Sequence, residues 1–254
     1  MKENMAQHEN IYLQPAFPLR MAELNRKGLR DLYPSEAWSM YRILPQCRSV
    51  LDLGCGGSNM LGVVRAINPE IRYVGVDFNP DLISAAQTAR GSEAARFVQS
   101  DIEAFLRENT ETFDCVMTWA VTYALPNFYE CFDLVLEKRM GRFFMFDMRV
   151  STLPGTIDDV NLAWSSYGSV RNPYYMHNYG EFLAAIRKHA PASVEIAGYD
   201  FPVGTTSWVH PNLRQPTILS VVIETRASEA SGQQDPTAWH VRVPPHLQAP
   251  IEGA

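Results

Sequence analysis

Short apolar runs alternate along the first 150 residues with stretches whose apolar positions recur every three to four residues. The runs, rich in β-branched and aromatic residues, fall near 48–53, 71–76, 95–99, 113–118 and 143–148 and read as strands. Helical spacing follows the first four, near 58–67, 80–90, 102–108 and 126–138. Such alternation means crossover units and a parallel sheet. Ahead of it, 19–33 and 35–44 carry helical spacing, with Pro34 and Ser35 as the start signal between them. The rhythm breaks over 151–177, a stretch rich in Ser, Gly, Asn and aromatics with no clear period. Long irregular segments within compact domains are usually functional or disordered. Helical spacing resumes over 178–189, and 193–199 and 217–225 read as two final strands. From 227 onward Ser, Gln, Pro and Gly dominate, which predicts a largely disordered tail, the alternative being a docking segment through Trp239 and Val241. The expected organisation is a helical extension or lid over 1–46, one α/β domain over 47–226 with an insert at 151–177, and a tail over 227–254.

The run Val50-Leu51-Asp52-Leu53-Gly54-Cys55-Gly56-Gly57-Ser58 joins the first strand to the first crossover helix. Glycine there supplies positive φ and removes the Cβ that would keep a ligand from the backbone. The turn also aims the free N–H groups of a helix start at a negatively charged group. Two acids then recur at strand ends, Asp77 after 73–76 and Asp101 after 97–100. Open α/β sheets bind ligands outside the carboxyl ends of their strands, so three such sites in a row predict a nucleoside-binding edge.

The segments VLDLGCGGS, YVGVDFNP, VQSDIEAF and FDCVMTWAVTYAL resemble the successive motifs of class I S-adenosylmethionine-dependent methyltransferases. The resemblance runs well over 50–150 and more loosely to 226. It implies a three-layer Rossmann-like α/β fold whose seven-stranded sheet is mostly parallel, with an antiparallel last strand. It implies S-adenosyl-L-methionine as cofactor, with the methionine part at the glycine turn of Asp52, Gly54, Cys55 and Gly56. It places the ribose on Asp77 beside Phe78, and the adenine at Asp101 and the backbone of Ile102. Thr118 and Trp119 complete that edge. One departure is Ser58, where many members carry a third glycine; serine suits a helix N-cap.

Methyl transfer from a sulfonium is an in-line displacement, for which orientation can supply on the order of 7–11 kcal/mol. A base adds about 100- to 10,000-fold only when the acceptor carries a proton to be removed. The implied reaction is O- or N-methylation of a small-molecule acceptor, bound where 151–177 and 202–215 emerge on the cofactor face. Candidate bases are His210, His177 and Asp147; candidate substrate contacts are Tyr123, Arg149, Tyr175 and Trp208. Asp147 is either a base or a structural acid, and Arg149 either holds an acidic substrate or pairs with Asp147. Trp119 either faces ligand or supports the strand end. Tyr12, Arg20 and Arg30 are expected to close over the methionine carboxylate by analogy with lidded relatives. Asp77 is expected at the sheet's rim, where its removal leaves no buried orphan, and the tail is expected to leave from the far side of the domain.

Net charge is −6 without a basic block, which gives no nucleic-acid surface. No apolar run approaches a membrane span, and residues 1–12 lack a signal-peptide core. Cys47, Cys55, Cys115 and Cys131 match no zinc or redox spacing, so they read as reduced thiols of a cytoplasmic protein without a metal. Two competing readings remain at this level. An NAD-dependent oxidoreductase is disfavoured because Asn59 stands where G-x-G-x-x-G needs its third glycine. A cofactor-binding partner protein that does not catalyse would keep the same binding residues. The oligomeric state is left open, a homodimer included.

Overall fold

A computed structural model of the chain describes residues 28–90, 94–167, 170–200, 207–208, 216–226 and 237–248. The helix α1 (Pro34–Ile43) precedes β1 (Ser49–Leu53), α2 (Asn59–Ile67), β2 (Arg72–Asp77), α3 (Pro80–Arg90) and β3 (Ala95–Gln99). Then come α4 (Ile102–Glu108), β4 (Phe113–Thr118), α5 (Phe128–Glu137) and a long β5 (Gly141–Ser151). The chain continues through β6 (Ala163–Tyr167), β7 (Val170–Pro173), β8 (His177–Asn178), α6 (Tyr179–Lys188), β9 (Ser193–Asp200), β10 (Ser207–Trp208), β11 (Thr217–Glu224) and β12 (Ala238–Arg242). The main sheet has the order β12-β9-β11-β5-β4-β1-β2-β3, with β8 beside β5. β1 to β5 are parallel, and β11 runs antiparallel to both neighbours, β5 and β9. This is the expected three-layer sheet with its antiparallel strand, extended at one edge by β12.

Side chains alternate across the sheet because successive strand residues face opposite ways. On β5, Phe144, Phe146 and Met148 join Phe132, Phe182 and Leu219 on one face. Phe143 and Met145 join Met40, Leu61 and Tyr73 on the other. The helix α1 starts with Pro34 at its first position, and Glu36 accepts the Tyr33 N–H at 2.9 Å. It lies on β11, where the Ser220 hydroxyl donates to the Ser35 carbonyl at 2.8 Å and bonds the Ser39 hydroxyl.

Two expectations change here. The insert over 151–177 contains the β6–β7 hairpin, and β10 pairs with β6, so the two segments predicted to flank an acceptor meet in one small sheet. The tail, expected to be disordered, forms β12 over Ala238–Arg242, parallel to β9. Trp239, Val241 and Val243 pack on the core and Leu247 is 2% exposed. An uncovered β9 would present unpaired backbone groups, which β12 satisfies. The tail leaves β11 on the far side, as expected, but because β12 runs in the direction of β1–β5 the chain after it comes back to the face of their carboxyl ends. There the His246 Nε2 lies 3.0 Å from the Thr217 hydroxyl.

Candidate active site

The glycine turn is built around left-handed backbone: Gly54, Gly56 and Ser58 have φ of 76°, 53° and 67°. A Cβ on Gly54 would fall 2.5 Å from Val121 Cγ2, so the turn and the loop after β4 touch only because that Cβ is missing. The Gly54 and Cys55 N–H groups donate to the Val76 carbonyl at 2.8 and 3.0 Å, fastening the turn to β2. Asp77 braces it from beneath: Oδ2 accepts the Gly56 N–H and Oδ1 the Asn79 N–H, each at 2.9 Å. At 8% exposure Asp77 is buried, which corrects the expectation that its removal strands nothing. Burial raises its pKa above the ordinary carboxylate value, and the N–H groups of Asn79, Gly56 and Phe78 offset part of that rise.

Asp52, also buried, accepts the Tyr73 hydroxyl. The Cys55 thiol is pushed up by burial and then by Asp52 and Asp77, so it stays a thiol. Ser58 occupies the N-cap of α2, yet its buried hydroxyl makes no capping bond and has no partner among the described residues. Asp101 caps α4, its Oδ1 accepting from the Glu103 and Ala104 N–H groups at 2.8 and 3.2 Å, and Ile102 behind it is buried. Asn79 was missed by sequence reasoning, although an Asn-Pro pair at a helix start is a capping signal. Its Oδ1 accepts from Asp81 and Leu82 at 2.9 and 3.1 Å.

Thr118 and Trp119 are buried at the end of β4, and Thr118 Oγ1 and Trp119 Nε1 find no partner among the described residues. The next residue, Ala120, is left-handed at φ 58°, and its N–H donates to Asp147 Oδ1 at 2.8 Å. Asp147 Oδ2 pairs with Arg149, whose Nε donates to the Tyr174 hydroxyl at 2.9 Å. Of the two readings of this pair, the structure contains the ion pair. Asp147 as a base is thereby corrected: both of its oxygens are engaged and it is buried. Burial works against the Arg149 charge, but the adjacent carboxylate outweighs it and raises its pKa.

His177 is corrected too. It is 3% exposed, packed against Phe128 and Tyr129 with ring centroids 5.2 Å away, its Nδ1 3.3 Å from the Thr156 hydroxyl. Burial depresses its pKa from 6.5 to about 4, too low for a base near neutral pH. A base with a depressed folded pKa lets the unfolded chain take the proton first, so stability falls as pH drops below 6.5 towards 4. Acidification from 6.5 to 5 is expected to cost about 2 kcal/mol through this residue. Urea unfolding at both pH values checks it, with His177→Phe expected to flatten the difference.

Tyr175, buried, donates its N–H to the Tyr123 carbonyl at 2.8 Å, and Trp208 sits in β10. Arg30 is exposed on a turn before α1. His210, Tyr12 and Arg20 fall outside the described residues. Among the described residues no cluster of His, Cys, Asp and Glu could hold a metal ion, and no helix is long and apolar enough to cross a membrane.

Comparison with known proteins bears on this edge. The family described as "Methyltransferase domain" matches residues 47–191. Trans-aconitate 2-methyltransferase of Escherichia coli is 32% identical over 89 residues, 35% of this chain and 34% of that protein. The match thus spans about a third of that curated relative's length. The N-terminal domain of EvdMO1, solved in the presence of SAH and D-fucose, aligns over 82% of this chain and 95% of its own, with a TM-score of 0.54 and 14% identity. An O-methyltransferase from a trans-AT PKS multienzyme of Brevibacillus brevis, in complex with S-adenosyl-L-homocysteine, covers 84% and 81%, at TM-score 0.52 and 12% identity. At such identities the structures report the fold alone.

Proposed function

The chain belongs to the methyltransferase-domain family matched over residues 47–191, as a class I S-adenosylmethionine-dependent methyltransferase, and from that premise we propose that it methylates an oxygen or nitrogen of a small-molecule acceptor. Its cofactor is S-adenosyl-L-methionine, which when bound supplies an electrophilic methyl on a sulfonium. The observation that carries the reading is the direct contact between the glycine turn and the loop after β4, made where Gly54 meets Val121, with Asp77 bracing the turn. The buried orphan atoms Ser58 Oγ, Thr118 Oγ1 and Trp119 Nε1 fit a polar ligand in that crevice. Asp77 with Phe78 would hold the ribose, Asp101 and Ile102 the adenine, and Asp52, Gly54, Cys55 and Gly56 the methionine part.

The chain's own task is to orient and to exclude water. The small sheet of β6, β7 and β10, with Tyr123, Tyr175 and Trp208, forms the acceptor side. Arg149 is neutralised by Asp147, so we do not assign it a substrate carboxylate. With Asp147 engaged and His177 buried, His210 remains the proposed base; His210→Ala should weaken turnover more than cofactor affinity. Trans-aconitate, the small molecule named for the Escherichia coli relative, supports a small acceptor. Calorimetry tests the reading: S-adenosyl-L-homocysteine should bind and NAD should not. Heat with NAD and none with the homocysteine would contradict it.

A further inference from the structure

Asp147 and Arg149 lie on one face of β5, buried at 2% and 4% exposure, and both oxygens of the Asp147 carboxylate are engaged. What they touch is the loop that carries Trp119. Asp147 receives the Ala120 N–H at 2.8 Å, at the residue whose left-handed backbone turns the chain after β4. Its own carbonyl accepts the Thr122 hydroxyl at 2.7 Å, a second fastening two residues on. Arg149 lies 4.6 Å over the Tyr123 ring, which stacks on Tyr174 at 4.8 Å. The Arg149 Nε–H to Tyr174 and the Tyr175 N–H to Tyr123 then tie that loop to the insert. An alanine held at positive φ has to be over-determined by its surroundings to persist. Here the Asp147 carboxylate does so, and its pairing with Arg149 keeps it aimed.

We infer that Asp147 and Arg149 are positioning residues, which lock the loop of Thr118, Trp119 and Ala120 over the glycine turn and join it to the acceptor insert. The inference rests on the proposed donor crevice, because the loop so held is the one bearing the orphan atoms Thr118 Oγ1 and Trp119 Nε1. One clamp therefore sets the donor side and the acceptor side together.

Amide exchange on the ligand-free protein, combined with binding of S-adenosyl-L-homocysteine, tests this. In Asp147→Asn the amides of 119–124 should exchange at least tenfold faster while those of β1 and β4 stay protected. Affinity for the homocysteine should fall at least tenfold in a protein that still melts cooperatively. Asp147→Glu, which keeps the charge, should recover part of the affinity. A folded Asp147→Asn with unchanged loop exchange and affinity would overturn the inference. If that variant does not fold, Tyr174→Phe removes only the hydroxyl that receives Arg149 and should speed exchange at 122–124 and 174–176 about threefold; no change would equally overturn it. Wild-type protein that fails to bind the homocysteine would contradict the proposed function, while exchange in the free protein would still decide the role of Asp147.

Discussion

Truncation after Arg226 is expected to destabilise the domain severely. Leu247 is almost wholly buried, and Trp239, Val241 and Val243 pack on the same core, with Arg187 5.3 Å over the Trp239 ring. Burying one large aliphatic side chain contributes about 1.5–3 kcal/mol, so this group together represents about 4–6 kcal/mol. That approaches the whole stability of an ordinary domain, roughly 5–15 kcal/mol. The cut would also leave β9 as an open edge, free to pair with another copy. Urea unfolding and size-exclusion chromatography should show a collapse of the transition midpoint and soluble aggregates. A truncated protein with an unchanged midpoint would mean that β12 and Leu247 contribute little.

Asp77→Ala is expected to act twice. On binding, losing charge-assisted hydrogen bonds to the two ribose hydroxyls costs roughly 1.5–3 kcal/mol each, a loss of affinity on the order of 100- to 10,000-fold. On the free protein, the Gly56 and Asn79 N–H groups both lose their acceptor. A buried donor left unmet costs about 1–3 kcal/mol, so the variant should melt several degrees lower while remaining folded. The pH dependence has a definite sign. Burial raises the pKa of this carboxyl in the fold, so the charged form is disfavoured there relative to the unfolded chain. Taken as the difference between wild type and Asp77→Ala, the contribution of this group to free-protein stability should therefore rise as pH falls through that window, opposite in sign to that of His177, while cofactor affinity, which needs the carboxylate, should fall. Calorimetric titration and thermal melts across pH 4–7 check both directions. Unaltered affinity in the alanine variant would show that Asp77 does not hold the ribose.

The parallel core was legible because its signal is local. Val50 to Leu53, Tyr73 to Val76 and Cys115 to Met117 are short apolar runs ended by Gly, Asp or Thr, and a buried parallel strand requires just that. The strand-end positions of Gly54, Asp77 and Asp101 were legible for the same reason, since each lies at or within two residues of the end of such a run. What escaped depends on contacts far apart in sequence. Trp239 and Val241 alternate with His240 and Arg242 over only five residues, an edge-strand pattern submerged in polar composition. Without its neighbour β9, nothing local distinguishes it from a frayed terminus. His177 sits in a polar context, yet Phe128 and Tyr129, from a helix some fifty residues earlier, enclose it. Asp147 and Arg149 left two readings open because their deciding partners, Ala120 and Tyr174, come from two other segments. Asp77 looked like a rim residue because its acceptor role toward Gly56 spans 21 positions.

The central claim is that the glycine turn, Asp77 and the loop after β4 form one methyl-donor crevice. A crystal structure of the full chain grown with S-adenosyl-L-homocysteine tests it most directly. The account predicts ribose hydroxyls within hydrogen-bond reach of Asp77, adenine beside Asp101 and Ile102, and the sulfur facing Trp119. Density for S-adenosyl-L-homocysteine at any other surface, or a ribose out of reach of Asp77, would contradict it.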